Sequence, residues 1–343
     1  VTLPDELSTH HLVRRVVEVL VLLAIVGLIA ALAPGLDDVR ARLTDADPRW
    51  LALGVLLEAL SCASYVVMFR PVFCPRASWR TTAEIGLSEL AVGSLVPASG
   101  AGGLALGAWI LHQAGMPSER IARRSVAFFL IKSSVNFVAV AVLGAVMALG
   151  LAGPHRSLWL TAFPAALSAL VIGAVIAVAR VGHGPAPEPE DPKPHRWLRQ
   201  ARGAVVEGAR EAVTILRSGN VLVIGGAIGY WAWDNAVLWA AFHAFGASVP
   251  LTVVLMGYLI GQLGGLLPIP GGVGGIDGGL IGTLIVYGAP AAATAAAVLA
   301  YRVILFWLPL IVGGAAFASL RRGLNRPHRP DLCVVPSLAN PSR

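Results

Sequence analysis

Runs of roughly 20 consecutive apolar residues recur along almost the whole chain, each long enough to cross a ~30 Å hydrocarbon core at about 1.5 Å per residue. Inside a bilayer the backbone finds no water, so its N–H and C=O groups must be satisfied within helices or a closed barrel, and runs of this length specify helices. Hydropathy places six spans at about 12 to 33, 50 to 69, 125 to 150, 158 to 181, 220 to 246 and 290 to 319. Only 13% of the residues are charged and the mean hydropathy is +0.74, which excludes a soluble globular domain. The first run ends in Ala31-Leu32-Ala33, yet its apolar core is too long for a cleaved leader and Pro34 follows, so an uncleaved signal anchor is expected.

Two further apolar stretches, 81 to 114 and 250 to 288, are interrupted by proline and glycine. The first break is Val96-Pro97-Ala98-Ser99-Gly100-Ala101-Gly102-Gly103; the second is Leu267-Pro268-Ile269-Pro270-Gly271-Gly272-Val273-Gly274-Gly275. Neither arm of either stretch comfortably reaches a spanning length, so each is expected to form a re-entrant pair of half-helices. The expected fold is an all-α polytopic membrane protein of about six full spans and two broken hairpins, forming one membrane domain over 1–320, followed by a basic tail over 321–343.

The net charge of +7 is placed between the spans rather than on a nucleic-acid-binding face. With the N-terminus inside, the cytoplasmic side collects Arg14, Arg15, Arg70, Arg76, Arg80, Arg120, Arg123, Arg124, the cluster from Arg180 to Arg217 and the tail from Arg321. Only Arg40, Arg42, Arg49 and Arg156 fall outside, so both termini are expected in the cytoplasm. The cytoplasmic segment 182–218 opens with five prolines and then turns helical. Trp197, Ala201, Val205, Ala209, Val213 and Leu216 share one face there, the pattern of an interfacial helix on an anionic leaflet.

The two halves, about 50–150 and 220–320, repeat one order of features: an acid within a span, a Pro/Gly break, a Gly-x-Pro exit and a base within the next span. Glu58, Pro97 and Lys132 are 39 and 35 residues apart; Asp234, Pro268 and Arg302 are 34 and 34 apart. One break enters from inside and the other from outside, so the repeats are expected to be inverted, as in many secondary transporters whose sites lie at the repeat interface.

A charge at the centre of a span costs about 2.5 to 3.5 kcal/mol, so Glu58, Lys132, Asp234 and Arg302 should face the protein interior. Lys132 and Arg302 are expected to bind the anionic part of a substrate, with Glu58 and Asp234 as counter-charges or proton carriers; fixed ion pairs that specify packing are the competing reading. Helices beginning after Pro97 and Pro270 would aim free N–H groups inward as anion cradles, with Ser99, Gly100, Gly102, Gly271, Gly272 and Gly274 admitting a close ligand. Asp277 is expected to cap the second cradle or to pair with Arg302, and Glu84 or Glu89 to partner Lys132. Gly225/Gly229, Gly261/Gly265 and Gly278/Gly282, at four-residue spacing, are expected to serve tight helix packing. Trp231, Trp233 and Trp239 surround Asp234 in sequence and suit either a head-group path or core packing.

Other chemistry has no visible apparatus. Gly100-Ala101-Gly102-Gly103-Leu104-Ala105 fits a dinucleotide-binding pattern, but it follows an apolar helix at membrane depth and is rejected. No phosphate-binding loop, His-Glu-x-x-His or Gly-x-Ser-x-Gly occurs. Cys62, Cys74 and Cys333 are widely spaced and odd in number, which indicates neither a disulfide framework nor a zinc site. No cofactor is expected.

The run from Leu267 through Asp277 to Leu280, followed by Tyr301-Arg302 and Pro309, resembles the lysylphosphatidylglycerol synthase transmembrane family of flippase-like proteins, over roughly 50 to 320. In that family the Pro-Gly-Gly-x-Gly stretch commonly ends in glutamate, which Asp277 replaces here. The first half often reads Pro-Ala-Arg-x-Gly-Glu, whereas Pro97-Ala98-Ser99-Gly100-Ala101-Gly102 lacks the arginine and the glutamate. The resemblance implies movement of a lipid in a bacterial plasma membrane, with aminoacylated phosphatidylglycerol the best-known cargo. It does not imply synthesis, because fused members carry a soluble aminoacyl-transfer domain for which residues after 320 are expected to leave no room.

The leading expectation is therefore a lipid flippase without enzymatic activity, its partners being anionic phospholipids or lipid-linked substrates. A carrier of polyprenyl-phosphate-linked sugar, an integral-membrane lipid-modifying enzyme using the same acids, and a scaffold are the alternatives. A homodimer or an envelope-synthesis partner is compatible with each.

Overall fold

The computed structural model describes residues 43–95, 101–113, 116–154, 156–180, 193–263 and 274–324, with Arg14, Val17, Glu18, Val21 and Ala41. The remainder of the span at 12 to 33, the tail after 324 and most of both breaks lie outside the described residues. Ten helices follow one another among the described residues from 48 to 324: α1 Pro48–Phe73, α2 Trp79–Leu95, α3 Ala101–Gln113, α4 Ser118–Ala148, α5 Ala162–Arg180, α6 Lys193–Arg217, α7 Val221–Ala244, α8 Leu251–Gly261, α9 Gly275–Val286 and α10 Ala291–Leu324. No strand occurs among the described residues. Five of these helices, α1, α4, α5, α7 and α10, are long and apolar enough to cross a membrane, and they coincide with the expected spans after the first. The protein is an all-α polytopic membrane protein.

Capping sets where the long helices start. Asp47 precedes Pro48 and accepts from the Arg49 N–H at 2.9 Å, while Asn220 accepts from the N–H groups of Leu222 and Val223, so each occupies donors with no intrahelical partner. Helix α5 buries little beyond Ala165 and Ser168, and Phe163, Leu167 and Leu170 point outward, as a lipid-facing helix requires.

The two broken stretches form hairpins. At about 1.5 Å per residue, the 11 residues of α8 rise only about 16 Å, roughly half of a ~30 Å core. The arms of the second hairpin are antiparallel: Gly257 meets Leu284 and Gly261 meets Leu280. The first hairpin brings Glu89 of α2 beside Gly107 of α3, with Ile85, Leu106 and Ile110 in a shared apolar cluster. The turn after α9 needs Gly288, whose φ is +96° and where a Cβ would strike the Arg156 guanidinium; Arg156 donates to the Tyr287 carbonyl at 2.8 Å.

The succession long, short, short, long occurs twice, as α1–α4 and as α7–α10, with α5 and α6 between. The two leading helices pack along their lengths in opposite directions: Gly54 meets Val237, the Ser61 hydroxyl donates to the Tyr230 carbonyl at 3.2 Å, Ser64 contacts Gly229, and Met68 contacts Gly226. Two apolar clusters result. One joins α7–α10 with Leu57, Val140 and Met147; the other joins the second part of α1 and α2–α4 with Val223, Ala227 and Leu320.

Three expectations need correction. Among the described residues nothing faces Gly225, Gly278 or Gly282, and it is Gly226, with Gly229, that lets α7 approach α1; the register of an antiparallel pair decides which glycine of a tandem is covered. Helix α6 docks on α4 through Gly208, Ala209 and Ala212, with Glu211 pairing Arg123 and Arg124, whereas Val205 of the expected apolar face is 51% exposed. The contact takes in Ala209 of the expected stripe beside Gly208 and Ala212, and Leu216 of the same stripe packs against an apolar cluster, so the helix rests on protein rather than on the leaflet alone. Cys62 is free and buried, but Cys74 is disulfide-bonded, which overturns the reading of no bridge for that residue.

Candidate functional site

Between the two apolar clusters lies a polar seam, contributed by α1, α2, α4, α7, α8, α9 and α10. Its centre is the α1–α7 contact. Glu58 on α1 and Asp234 on α7 are 5% and 7% exposed, and their carboxylates interact electrostatically across the antiparallel pair. Asp234 accepts from two hydroxyls, that of Tyr258 on α8 and that of Tyr301 on α10, the latter at 2.9 Å. Glu58 is poorly satisfied: its Oε1 receives only the Cys62 thiol at 3.5 Å, and its Oε2 has no hydrogen-bond partner among the described residues.

Each half adds one cation to this centre. In the second, Arg302 Nε donates to Asp277 Oδ1 at 2.7 Å, and the guanidinium also acts electrostatically on Asp234. The other Asp277 oxygen accepts from the Gly274 N–H at 2.7 Å, closing a capping arrangement at the start of α9, where Gly274 has φ +85°. Asp277 thus both caps and pairs. In the first half Lys132 interacts electrostatically with Glu89, and its Nζ lies 5.9 Å from the Tyr65 ring centre and 5.7 Å from that of Tyr230. The Tyr65 hydroxyl is within bonding reach of Glu89.

The site residues expected from sequence therefore divide. Glu58, Lys132, Asp234, Asp277 and Arg302 come together in the seam. Ser99, Gly100, Gly271 and Gly272 lie outside the described residues, and Gly102 falls in the first turn of α3. Helix α9 begins at Gly275 rather than after Pro270, and the Asp277 carboxylate takes the Gly274 N–H, so one donor at the start of this helix is occupied by the protein's own acid. Glu84 bonds Arg80 and Ser319 and leaves Lys132 to Glu89. Trp239 packs with Trp50 and His243 in an aromatic group, and Trp233 is 39% exposed, so neither lines the seam; Trp231 keeps a buried Nε1 that has no partner among the described residues.

Sequence reasoning missed the tyrosines and Cys62. Tyr230 lies one helical turn before Asp234, and Cys62 one turn after Glu58, so helical spacing alone marks both. Tyr258 stands out as the only residue besides Thr252 in α8 with a side-chain hydroxyl. More polar atoms reach the same helices: Asn136 Oδ1 on α4 and Asn235 Oδ1 on α7 are buried without partners among the described residues. Buried polar groups are normally bonded, so such a concentration marks a place where water or a ligand belongs.

Comparison with known proteins agrees with this architecture. A UPF0104 membrane protein of Methanothermobacter thermautotrophicus is 25% identical over 323 residues, covering 85% of this chain and 91% of that protein. A second match described in the same words, from the same organism, is 31% identical over 94 residues, 27% of this chain and 28% of the relative. The family model described as the lysylphosphatidylglycerol synthase TM region matches residues 15–313, which takes in both hairpins and every residue of the seam, and the chain belongs to that family.

Proposed function

We propose that the protein is a flippase-like transporter that carries the head group of an anionic phospholipid, or of an aminoacyl-phospholipid, through the polar seam while the acyl chains stay in the bilayer. The observation that carries this reading is the seam itself: buried acids, cations and unpartnered polar atoms gathered where two oppositely running four-helix units meet. A fixed packing role for the charges would favour closed pairs throughout, and among the described residues Glu58 and Lys132, unlike Arg302, form none within salt-bridge distance. Family membership supports a lipid-related role in the membrane.

In this reading the lipid phosphate takes the Arg302 guanidinium in exchange with Asp277, and Lys132 offers the second positive charge deeper in the seam. The lipid leaves chemically unchanged. In this reading both termini lie in the cytoplasm, which the basic residues flanking the spans favour by the positive-inside rule, and the membrane is a bacterial plasma membrane, as the family resemblance suggests. Reconstitution of the full chain in liposomes containing phosphatidylglycerol tests the proposal, with transbilayer movement of a fluorescent phosphatidylglycerol as the readout. The Arg302→Ala/Lys132→Ala variant is expected to slow movement about ten- to a hundredfold, the equivalent of one or two lost charge-assisted hydrogen bonds. Undiminished movement in that variant would remove the proposal, and a new lipid species would redirect it to lipid-modifying chemistry.

A further inference from the structure

We propose that Glu58 and Asp234 together hold one exchangeable proton at the centre of the membrane domain, and that its gain and loss accompany head-group movement. The second half of this statement rests on the transport reading above; the first half does not.

Hydrogen bonding distinguishes the two carboxyls. Asp234 only accepts, from the Tyr258 and Tyr301 hydroxyls, and that is the pattern of an ionised carboxylate. Glu58 is also buried, but it faces that carboxylate rather than a donor, and its Oε2 is bare. Two like charges side by side in a low-dielectric interior cannot both be held cheaply, and a carboxyl pair in this position shares a proton. Glu58 is the member on which it sits.

The neighbours of Glu58 leave that conclusion intact. From its own helix comes Cys62, a weak donor. From α7 come Asp234 and the Tyr230 phenol. The cation of α10, Arg302, is engaged by Asp277 of α9 and acts on Asp234. The cation of α4, Lys132, acts with Glu89 of α2. Among the described residues, then, the interactions of Glu58 include a second acid and no base.

The step is a simple one. On release the Glu58 O–H bond breaks, its electron pair stays on the carboxylate and the proton passes to water; uptake is the reverse, and no other bond changes. A phosphate arriving at Arg302 adds negative charge beside the pair and favours uptake, and by reciprocity the proton strengthens head-group binding. One proton per lipid makes the steady-state distribution respond by up to about tenfold per pH unit.

Infrared difference spectra between neutral and alkaline pH, where Asp234 is already ionised, recorded on the full chain in phosphatidylcholine nanodiscs, read the Glu58 proton without any transport. A carboxylic-acid carbonyl band that titrates in the wild type, vanishes in Glu58→Gln and returns at a shifted frequency in Glu58→Asp is the expected result. A band that persists in Glu58→Gln, or no band in the wild type, overturns the proton site. In phosphatidylglycerol proteoliposomes an imposed pH gradient is expected to bias fluorescent phosphatidylglycerol movement in the wild type and to leave Glu58→Gln indifferent; wild-type movement blind to the gradient overturns the coupling while sparing the lipid reading. A titrating band in a protein that moves no lipid leaves the proton site standing and removes the lipid cargo instead.

Discussion

The cation of the second half is held differently from that of the first. Arg302 grips Asp277 directly, and Asp277 is in turn anchored to the backbone at the start of α9, so the pair is stapled to the second hairpin. Lys132 hovers between two tyrosine rings near 6 Å and reaches Glu89 only through space. One half thus carries a closed clasp and the other a loose ammonium in an aromatic box. The contrast shows how a duplicated unit can hold its two cations differently: a planar guanidinium makes a directed contact with its acid, whereas the ammonium on its longer stem is left between aromatic faces.

The largest expected effect breaks the clasp. Arg302→Ala strands Asp277 at a site where both side chains are 17% exposed, and it should cost about 3 kcal/mol of stability, whereas Lys132→Ala, which loses a longer-range contact, should cost about 1 to 2 kcal/mol. Thermal unfolding in detergent with a substrate-free protein would measure both, and equal losses would erase the distinction between the halves.

Next comes the rigidity of the hairpins. A Cβ at Gly261 would lie 2.7 Å from the Leu280 Cα, which is backbone, while one at Gly107 would lie 2.5 Å from Glu89 Oε2, the far end of a side chain. Gly261→Ala is therefore expected to destabilise by about 1 to 3 kcal/mol. Gly107→Ala should cost less than about 1 kcal/mol but displace Glu89 from Lys132, lowering transport more than stability. Paired unfolding and transport measurements on the two variants test this, and the reverse ranking would show that the first hairpin is the stiffer one.

The smallest effect has the opposite sign. Among the described residues nothing lies within contact distance of a side chain added at Gly278, so Gly278→Ala should raise stability by about 0.5 to 1 kcal/mol through helix propensity alone. A loss instead would mean that this face of α9 is covered in the assembled protein.

Much of the frame could be read from residue order. Long apolar runs marked the five described spans, Pro/Gly clusters marked the two hairpins, and the cost of a charge in lipid marked Glu58, Lys132, Asp234 and Arg302 as interior. Asp277, two residues inside the start of α9, carried a capping-box spacing that was readable too. What sequence could not supply was register. That Glu58 lies opposite Asp234, that Gly226 rather than Gly225 is covered, and that α6 turns its small residues to α4 all depend on how helices remote in sequence slide against each other, and periodicity within one helix says nothing about that offset. The tyrosines were overlooked for a related reason: in an apolar helix an aromatic residue reads as core until the acid it bonds, Asp234 or Glu89, is known to be next to it.

The crossing of α1 and α7 has one more consequence. Because the two helices run oppositely and Glu58 meets Asp234 where they touch, these side chains lie close to the line about which one unit maps onto the other. Any rocking of the units about that line moves a residue in proportion to its lever arm, so the hairpin tips swing farthest and the acids hardly at all. On the proposed transport reading the carboxyls therefore occupy the fulcrum, and a substitution there is expected to alter proton binding without changing how far the ends travel.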